Sequence, residues 1–460
     1  MKETSHSLNL KQEIYEVIKE SSPKEIQEKL KTYHPSDIAE TFEMMDDEQL
    51  GFMLQSLNFH LLADIFEYLD SEDAAELMKR LSTQKGANVL ETMEPDDAAD
   101  VLQEMKEHAA DQVLSAMHEE NRDTLNTLSE YKEETAGAIM TTDFVILTKG
   151  MDVTEAMKVL VKSAKSTEGI QRLFVLDDKN FLEGVIELKA LIQARAPKSI
   201  DEIMYSDVVS VHVDDSAEDV AKKIQNYGIY VMPVVNDKNQ IQGVITMDDA
   251  ADILDDATDE DYGKFAALSS DIVLNESVFK SAFHRLPWLI LLLLLGLVIS
   301  TIISRFETTI ERVAVLVIFQ PLILDMAGNT GTQSLAVTVR GISKDFFSLK
   351  GSAKRHLLKE LRIGVLSGIA IGLFSMVTTF VFLTIAAPTM AIGGPIEVAL
   401  TVGFSAAFAL SFAAVFGAFF PLFLYKINVD PAVASGPFIT TLNDVIGLVI
   451  YFSLAMLIIL

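Results

Sequence analysis

Five stretches in the last third of the chain, residues 287–306, 313–340, 363–387, 398–425 and 436–460, are long and apolar enough to cross a bilayer. A hydrocarbon layer about 30 Å thick takes about 20 helical residues. Inside it every backbone N–H and C=O must find a partner within the protein, so these stretches are expected to be helices. The second is apolar as far as Ala327 and then reads Gly328-Asn329-Thr330-Gly331-Thr332-Gln333-Ser334. That run is too polar to face lipid, and a break facing protein or a watery cavity is expected there.

Basic residues set the expected orientation. Arg340, Lys344, Lys350, Lys354, Arg355, Lys359 and Arg362 follow the second stretch, whereas residues 388–395 after the third carry no Lys or Arg. The positive-inside rule then puts the first connection in the cytoplasm and the second outside, with the N-terminus inside and Leu460 outside. Residues 1–19 carry polar and charged residues throughout with no apolar core, and do not resemble a signal peptide. A multi-pass protein of the plasma membrane is expected.

The net charge of −29 is unevenly distributed. From Pro287 onward there are 10 Lys and Arg against 8 Asp and Glu, which leaves 27 against 58 in the first 286 residues. The acidic half is unsuited to nucleic acid and suited to cations. Acidity also keeps such a domain soluble, which accounts for most of these carboxylates. With no cysteine there is no disulfide, thiolate metal site or cysteine nucleophile.

Asp325 and Asp444 each stand in an otherwise apolar stretch. Inserting an acid at a helix centre costs roughly 2.5–3.5 kcal/mol, so such residues are read as functional. Neither has a Lys or Arg nearby in sequence, and a permeating cation would neutralise them. Hard cations take oxygen ligands, and Mg2+ keeps several waters while bound by one or two carboxylates. Asp beside Asn, Thr and glycine carbonyls fits that chemistry. No His lies beyond His356, which argues against zinc or copper. Mg2+, Ca2+, Mn2+ and Na+ stay open on these grounds. Gly364, Gly368 and Gly372 in the third stretch form a stripe that allows close helix packing.

Gln320-Pro321 and Asp325-Met-Ala-Gly-Asn-Thr-Gly-Thr-Gln-Ser334 resemble the second-span signature of the MgtE family of magnesium channels. Asp430-Pro-Ala-Val-Ala-Ser-Gly-Pro-Phe-Ile-Thr-Thr-Leu-Asn-Asp444-Val-Ile-Gly447 resembles that family's entry into its fifth span. The resemblance implies a homodimer with a pore lined by the second and fifth spans. It implies that Asp444 selects hydrated Mg2+, with Asn329, Gly328, Asp325 and Thr441 as further pore contacts.

The soluble half falls into segments. Residues 1–135 read as an acidic array of short amphipathic helices with an internal repeat: Glu72-Asp-Ala-Ala-Glu-Leu-Met-Lys-Arg-Leu81 recurs 24 residues later as Asp96-Asp-Ala-Ala-Asp-Val-Leu-Gln-Glu-Met105. Such units stack into a superhelix. Residues 136–258 contain two β-α-β-β-α copies, about 139–200 and 204–258, with strands expected at 144–147, 173–176, 184–186, 208–213, 231–235 and 243–246. They resemble a tandem CBS pair. A CBS-type ribose motif survives as Gly243, Thr246 and Asp249, whereas the first copy has Glu187 and Ala190 in the matching places. ATP or another adenine nucleotide is therefore a candidate ligand beside a purely scaffolding role.

Eight acids crowd residues 248–261. A divalent cation would relieve their repulsion. Residues 259–285, amphipathic from Tyr262 to Arg285, are expected to form a connecting plug helix before the membrane domain, 286–460. In the resembled family this helix closes the pore while Mg2+ bridges the cytoplasmic carboxylates, for which Asp96, Asp100, Asp249, Asp252, Asp256, Asp259 and Glu260 are the candidates.

The expected protein is thus multidomain, α plus α/β with a polytopic helical membrane domain: a helical superhelix, a CBS pair, a plug helix and five spans. Mg2+ is its expected cargo and regulator. The competing readings are a transporter of another divalent cation or a Na+-coupled exchanger on this scaffold, and a membrane-anchored nucleotide sensor. An enzyme is not expected, because no nucleophile with a base, no phosphate loop and no His-rich site is present.

Overall fold

The computed structural model describes residues 2–164, 167, 169–268, 278–344, 346–386, 394–431 and 434–460. The chain divides into two compact units, Met1–Asp255 and Asp256–Leu460.

The first unit opens with α1 (Lys2–Glu20), α2 (Ile26–Leu30), α3 (Pro35–Ala39), α4 (Asp47–Ser56) and α5 (Phe59–Phe66). It continues with α6 (Ser71–Met78), α7 (Thr83–Leu90), α8 (Pro95–Glu104), α9 (Glu107–Ala116) and α10 (Glu119–Ser129). Polar residues start these helices: Asp46 and Gln49 form a capping box on α4, and Asn58 accepts from Leu61 N at 2.9 Å on α5. The sequence repeat is structural. Ala74, Ala75, Leu77 and Met78 of α6 are buried, and so are Ala98, Ala99, Val101 and Leu102 at the equivalent places of α8. Packing runs between alternate helices, α3 on α5 on α7 on α9 and α6 on α8 on α10, which makes the two-row stack of a superhelix.

The CBS copies follow. The first holds β1 (Ile146–Thr148), α11 (Val153–Ser163), β2 (Arg172–Leu176), β3 (Leu182–Glu187) and α12 (Leu188–Gln193). The second holds β4 (Val211–His212), α13 (Ala217–Tyr227), β5 (Val231–Val235), β6 (Ile241–Thr246) and the start of α14 (Met247–Phe265). In both sheets the first strand is parallel and the third antiparallel to the central one, with a register shift at the same place, Val175/Leu176 and Val234/Val235. The expected 208–213 strand shrinks to two residues, because only Val211 and His212 pair with β5.

Each copy is completed by a segment outside its strands. Thr141 pairs with Val244, and Tyr205 with Val185, through reciprocal backbone hydrogen bonds of 2.8–3.0 Å. A glycine precedes each paired valine because a Cβ there would meet the incoming strand: at Gly243 it would lie 2.7 Å from Thr141 O, and at Gly184 3.0 Å from Tyr205 O. The core of the helical array continues into the second CBS copy through Val211, Val220, Met232, Val234 and Ile245.

The second unit contains the end of α14, then α15 (Val278–Ser304), α16 (Glu307–Arg312), α17 (Leu316–Ser343), α18 (Ser352–Ala386), α19 (Pro395–Lys426) and α20 (Gly436–Ile458). Four of these are long and apolar enough to cross a membrane: Val278–Ser304, Ser352–Ile385, Pro395–Lys426 and Gly436–Ile458. The glycine stripe of α18 lies on α19, as expected. A Cβ at Gly364 would stand 2.6 Å from that of Ala414, and one at Gly372 2.6 Å from Gly403 O. Leu316, Phe319, Ile323, Val402, Leu448, Tyr451 and Phe452 form the apolar centre, and the Tyr451 hydroxyl donates to Leu316 O at 2.8 Å.

Three expectations change. The polar run 328–334 is not a break, since α17 continues through it to Ser343. Its polar groups are satisfied inside the helix, Thr330 Oγ1 donating to Met326 O at 2.8 Å and Thr332 Oγ1 to Gly328 O at 3.0 Å. Lys354, Arg355, Lys359 and Arg362 belong to the first turns of α18 rather than to a loop. The amphipathic segment 262–285 is not one described helix. Ala267 adopts φ +59° after α14, with Leu268 N bonded to Gly263 O at 2.9 Å and Ala267 N to Lys264 O at 3.0 Å. That is a Schellman stop. Residues 269–277 lie outside the described residues, and Val278–Arg285 belong to α15.

Candidate functional site

Two sets of carboxylates qualify, one in each unit. In the second unit, α17 and α20 meet over small residues. A Cβ at Gly328 would stand 2.7 Å from Thr440 Cγ2, one at Gly331 would overlap Asn443, and one at Gly417 of α19 would overlap the Gly331 carbonyl. Thr332 and Thr440 touch through their hydroxyls at 3.3 Å. Asp325 of α17 and Asp444 of α20 thus stand on the two helices that this close approach joins.

Asp444 is partly buried, and its Oδ1 is buried without a hydrogen-bond partner. Both amide atoms of the adjacent Asn443 are in the same state, with that residue only 1% exposed. Neither Asp325 nor Asp444 has an ion pair among the described residues. Asp325 and Asn329 are exposed on α17, one turn apart, and Gly328 is buried beside them. The Thr441 hydroxyl donates to Pro437 O at 2.8 Å, which leaves its oxygen as an acceptor only. The expected bare glycine carbonyls are not present: Gly328 O accepts from Thr332. The residues brought together are therefore acids, an amide and hydroxyls, an all-oxygen set suited to a hard cation that keeps its water. Asn443 was not among the sequence candidates, although its place beside Asp444 marks it.

The other end of the same pair of helices is covered by the last turn of α14. Phe265 packs among Leu335, Val339, Ala434 and Ile439. Lys264 Nζ lies 2.6 Å from Asp430 Oδ2 and 2.6 Å from Glu260 Oε1, and Ser343 Oγ stands 3.4 Å from Asp261 Oδ2. Burial alone would lower the Lys264 pKa, but its two carboxylate partners raise it, so the lysine stays charged.

In the first unit, Asp96 is 6% exposed in the first turn of α8, and its Oδ1 has no partner. Burial pushes its pKa well up, and the charges of Asp249 and Asp97 push further. Asp97 rises to about 8 through burial and then the charges of Glu67, Glu94 and Asp249. Burial also raises Asp249, although Thr246 Oγ1 donates to it at 2.5 Å. Asp100 rises to about 6, chiefly because packing desolvates it, with Glu104 and Glu133 adding repulsion; its exposure lets solvent screen part of that.

Asp96, Asp100 and Asp249 were expected here. Asp97, Glu67 and Glu94 were not, because the last two come from the preceding repeat and a loop. Asp252 is exposed on α14. Asp256, Asp259 and Glu260 belong to the second unit. Among the described residues no three acids or histidines stand ready around one metal position.

A cavity of about 150 Å3 is lined by Glu94, Thr141, Asp143, Tyr230, Thr246 and Asp248 among others. Of the ribose motif, Thr246 reaches it. Asp249 is bonded to Thr246, and Gly243 is required by the approach of Thr141.

Residues 320–454 match a family described as MgtE, divalent cation transporter; residues 33–134 match the MgtE intracellular N domain; 136–197 and 200–256 match CBS domains. A magnesium transporter MgtE of Enterococcus faecalis is 38% identical over 337 residues, 73% of this chain and 72% of its own. That of Bacillus subtilis is 34% identical over 339 residues, 74% and 73% of the two chains. The crystal structure of the soluble part of a magnesium transporter, 30% identical, superposes with a TM-score of 0.52 over 55% of this chain and 99% of its own.

Proposed function

The chain belongs to the MgtE family of divalent cation transporters and moves Mg2+ across a membrane; from that premise we propose that the ion passes along the seam between α17 and α20 and is selected by Asp444. The observation that carries this is the buried Asp444 Oδ1 without a protein partner, with a second carboxylate at Asp325 and no basic neighbour paired to either. Such a group is costly to maintain unless a cation visits it. Asn329, Asn443 and Thr441 supply oxygen acceptors for the waters of a hydrated ion, with Gly328 giving the room.

Gating belongs to the same proposal. The last turn of α14 is the plug, held at the cytoplasmic mouth by Phe265 and the Lys264–Asp430 pair. Mg2+ bound among Asp96, Asp97, Asp100 and Asp249 favours the compact, closed arrangement, because the cation neutralises acids that otherwise repel. The orphaned Asp96 oxygen and the all-carboxylate set fit a hard cation. Asp252, Asp256, Asp259 and Glu260 extend the acidic surface along α14. Low Mg2+ shifts the population to the open state.

The reading further includes five spans with α17 as the second, the N-terminus inside, Leu460 outside, and a homodimer. It also includes an adenine nucleotide in the cavity beside Thr246. Three acids line that cavity, so ATP would enter with its phosphates neutralised by Mg2+.

The test is Mg2+ uptake by liposomes holding the whole protein, wild type beside Asp444→Ala, with the cytoplasmic face at low and then high Mg2+. Uptake that high Mg2+ suppresses and the substitution abolishes is expected. Undiminished uptake by Asp444→Ala would make Asp444 a structural acid and end the selectivity assignment.

A further inference from the structure

Where the polar run of α17 ends lies a second set of buried polar groups. Ser334 and Thr338 stand one turn apart on α17, and His356 and Glu360 one turn apart on α18. Ser334 Oγ donates to Glu360 Oε2 at 2.7 Å, and Thr338 Oγ1 lies 2.8 Å from His356 Nε2. All four are buried, Glu360 being 4% and His356 7% exposed.

With the single Thr338 hydroxyl proton given to Ser334 O at 2.7 Å, the tautomer that carries its proton on Nε2 donates the second rung. The imidazole also meets the Phe347 ring in a T-shaped contact, with ring centroids 5.2 Å apart. Phe347 in turn lies where a Cβ on Gly341 would come within 2.8 Å.

A carboxylate and an imidazole buried between two helices are poor sources of stability, because their desolvation offsets much of what their bonds return. They are good sources of orientation. α17 is also pressed against α20 at Gly328 and Gly331, and against Gly417 of α19. Small residues permit a close approach but tolerate sliding and turning, whereas two directed rungs at i and i+4 admit one rotation.

We infer that Glu360 and His356 are positioning residues that set the rotation of α17 about its axis, and thereby where Asp325 and Asn329 stand relative to Asp444. The inference rests on the proposed ion path between α17 and α20. Ser334 lies five residues from Asn329, so a small turn of α17 at the rungs is carried rigidly to the acid and the amide.

The experiment is ion uptake by liposomes holding the full-length protein, reading the half-saturating Mg2+ concentration and the preference for Mg2+ over Ca2+. Glu360→Ala and His356→Leu remove a rung each. Glu360→Gln keeps an acceptor for Ser334, and His356→Gln keeps a donor for Thr338. Loss of a rung is expected to raise half-saturation about threefold or more and to erode the preference by a similar factor, the size set by one hydrogen bond. The two Gln variants should stay within about twofold of wild type. A merely structural role would lower the amount of active protein and leave both readings unchanged, and that result overturns the inference. So does impairment of the Gln variants equal to that of Ala and Leu. Asp444→Ala in the same series separates the two assignments: wild-type selectivity there sinks the ion path, whatever the rung variants do.

Discussion

Burial, and then the charges of Glu67, Glu94 and Asp249, raise the Asp97 pKa to about 8. Its unfolded value is near that of an ordinary aspartate, so between about pH 4 and pH 8 the folded state holds more protons than the unfolded one. Stability around α8 therefore falls as pH rises through that window, and the loss is complete only above the folded pKa. A cation that neutralises the cluster removes the penalty, so its effect must grow with pH. The protection factors of the α8 amides in the full-length protein, corrected for the intrinsic rise of exchange with pH, should thus be lower at pH 8 than at pH 6 without Mg2+, and Mg2+ should restore protection more at pH 8. Equal protection by Mg2+ at both values would show that Asp97 does not take part. The motif Asp-Asp-Ala-Ala identifies Asp96 and Asp97 as helix-starting acids, but it does not say which are buried. Burial depends on the neighbouring repeat and on the second CBS copy, both remote in sequence.

At the scale of the element, α17 and α14 are instructive. Glycine, asparagine and threonine in the middle of an apolar stretch suggest a break. The threonines instead bond back to carbonyls four residues earlier, and the glycines are needed because α20 and α19 come so near. Composition alone cannot tell a glycine that bends a helix from one that lets another helix touch it. For α14 the amphipathic pattern continues past residue 265, yet the helix stops where Ala267 takes a left-handed conformation and leaves Lys264 and Phe265 as its capped end. If that end closes the pathway, Lys264→Gln should release it. Uptake at high cytoplasmic Mg2+ is then expected to rise several-fold over wild type, with little change at low Mg2+ where the plug is already withdrawn. Unchanged uptake at high Mg2+ would remove the Lys264–Asp430 pair from the gate.

At the scale of the molecule, an acidic half is joined to a nearly neutral apolar half. The absence of cysteine makes its topology directly measurable, since any introduced thiol is the sole one. Lys350→Cys is expected to react with an impermeant maleimide only from the cytoplasmic side, and Gly394→Cys only from outside. Labelling of both from one side would overturn the five-span arrangement.

The sequence by itself determined the order of parts: a repeat of helices, two CBS copies, an acidic connector and long apolar helices carrying two acids. Those features are periodic or compositional, and local chemistry reads them out: short apolar runs for strands, amphipathic periodicity and repeats for helices, hydropathy for spans. The tertiary structure alone decided that α17 runs unbroken, that Asp97 joins Asp96 and Asp249, that Gly243 serves a strand crossing, and that Ser334 and Thr338 meet Glu360 and His356. Each of these depends on which groups distant in the chain become neighbours. Burial and pairing act through space, and a local pattern does not say which groups they join.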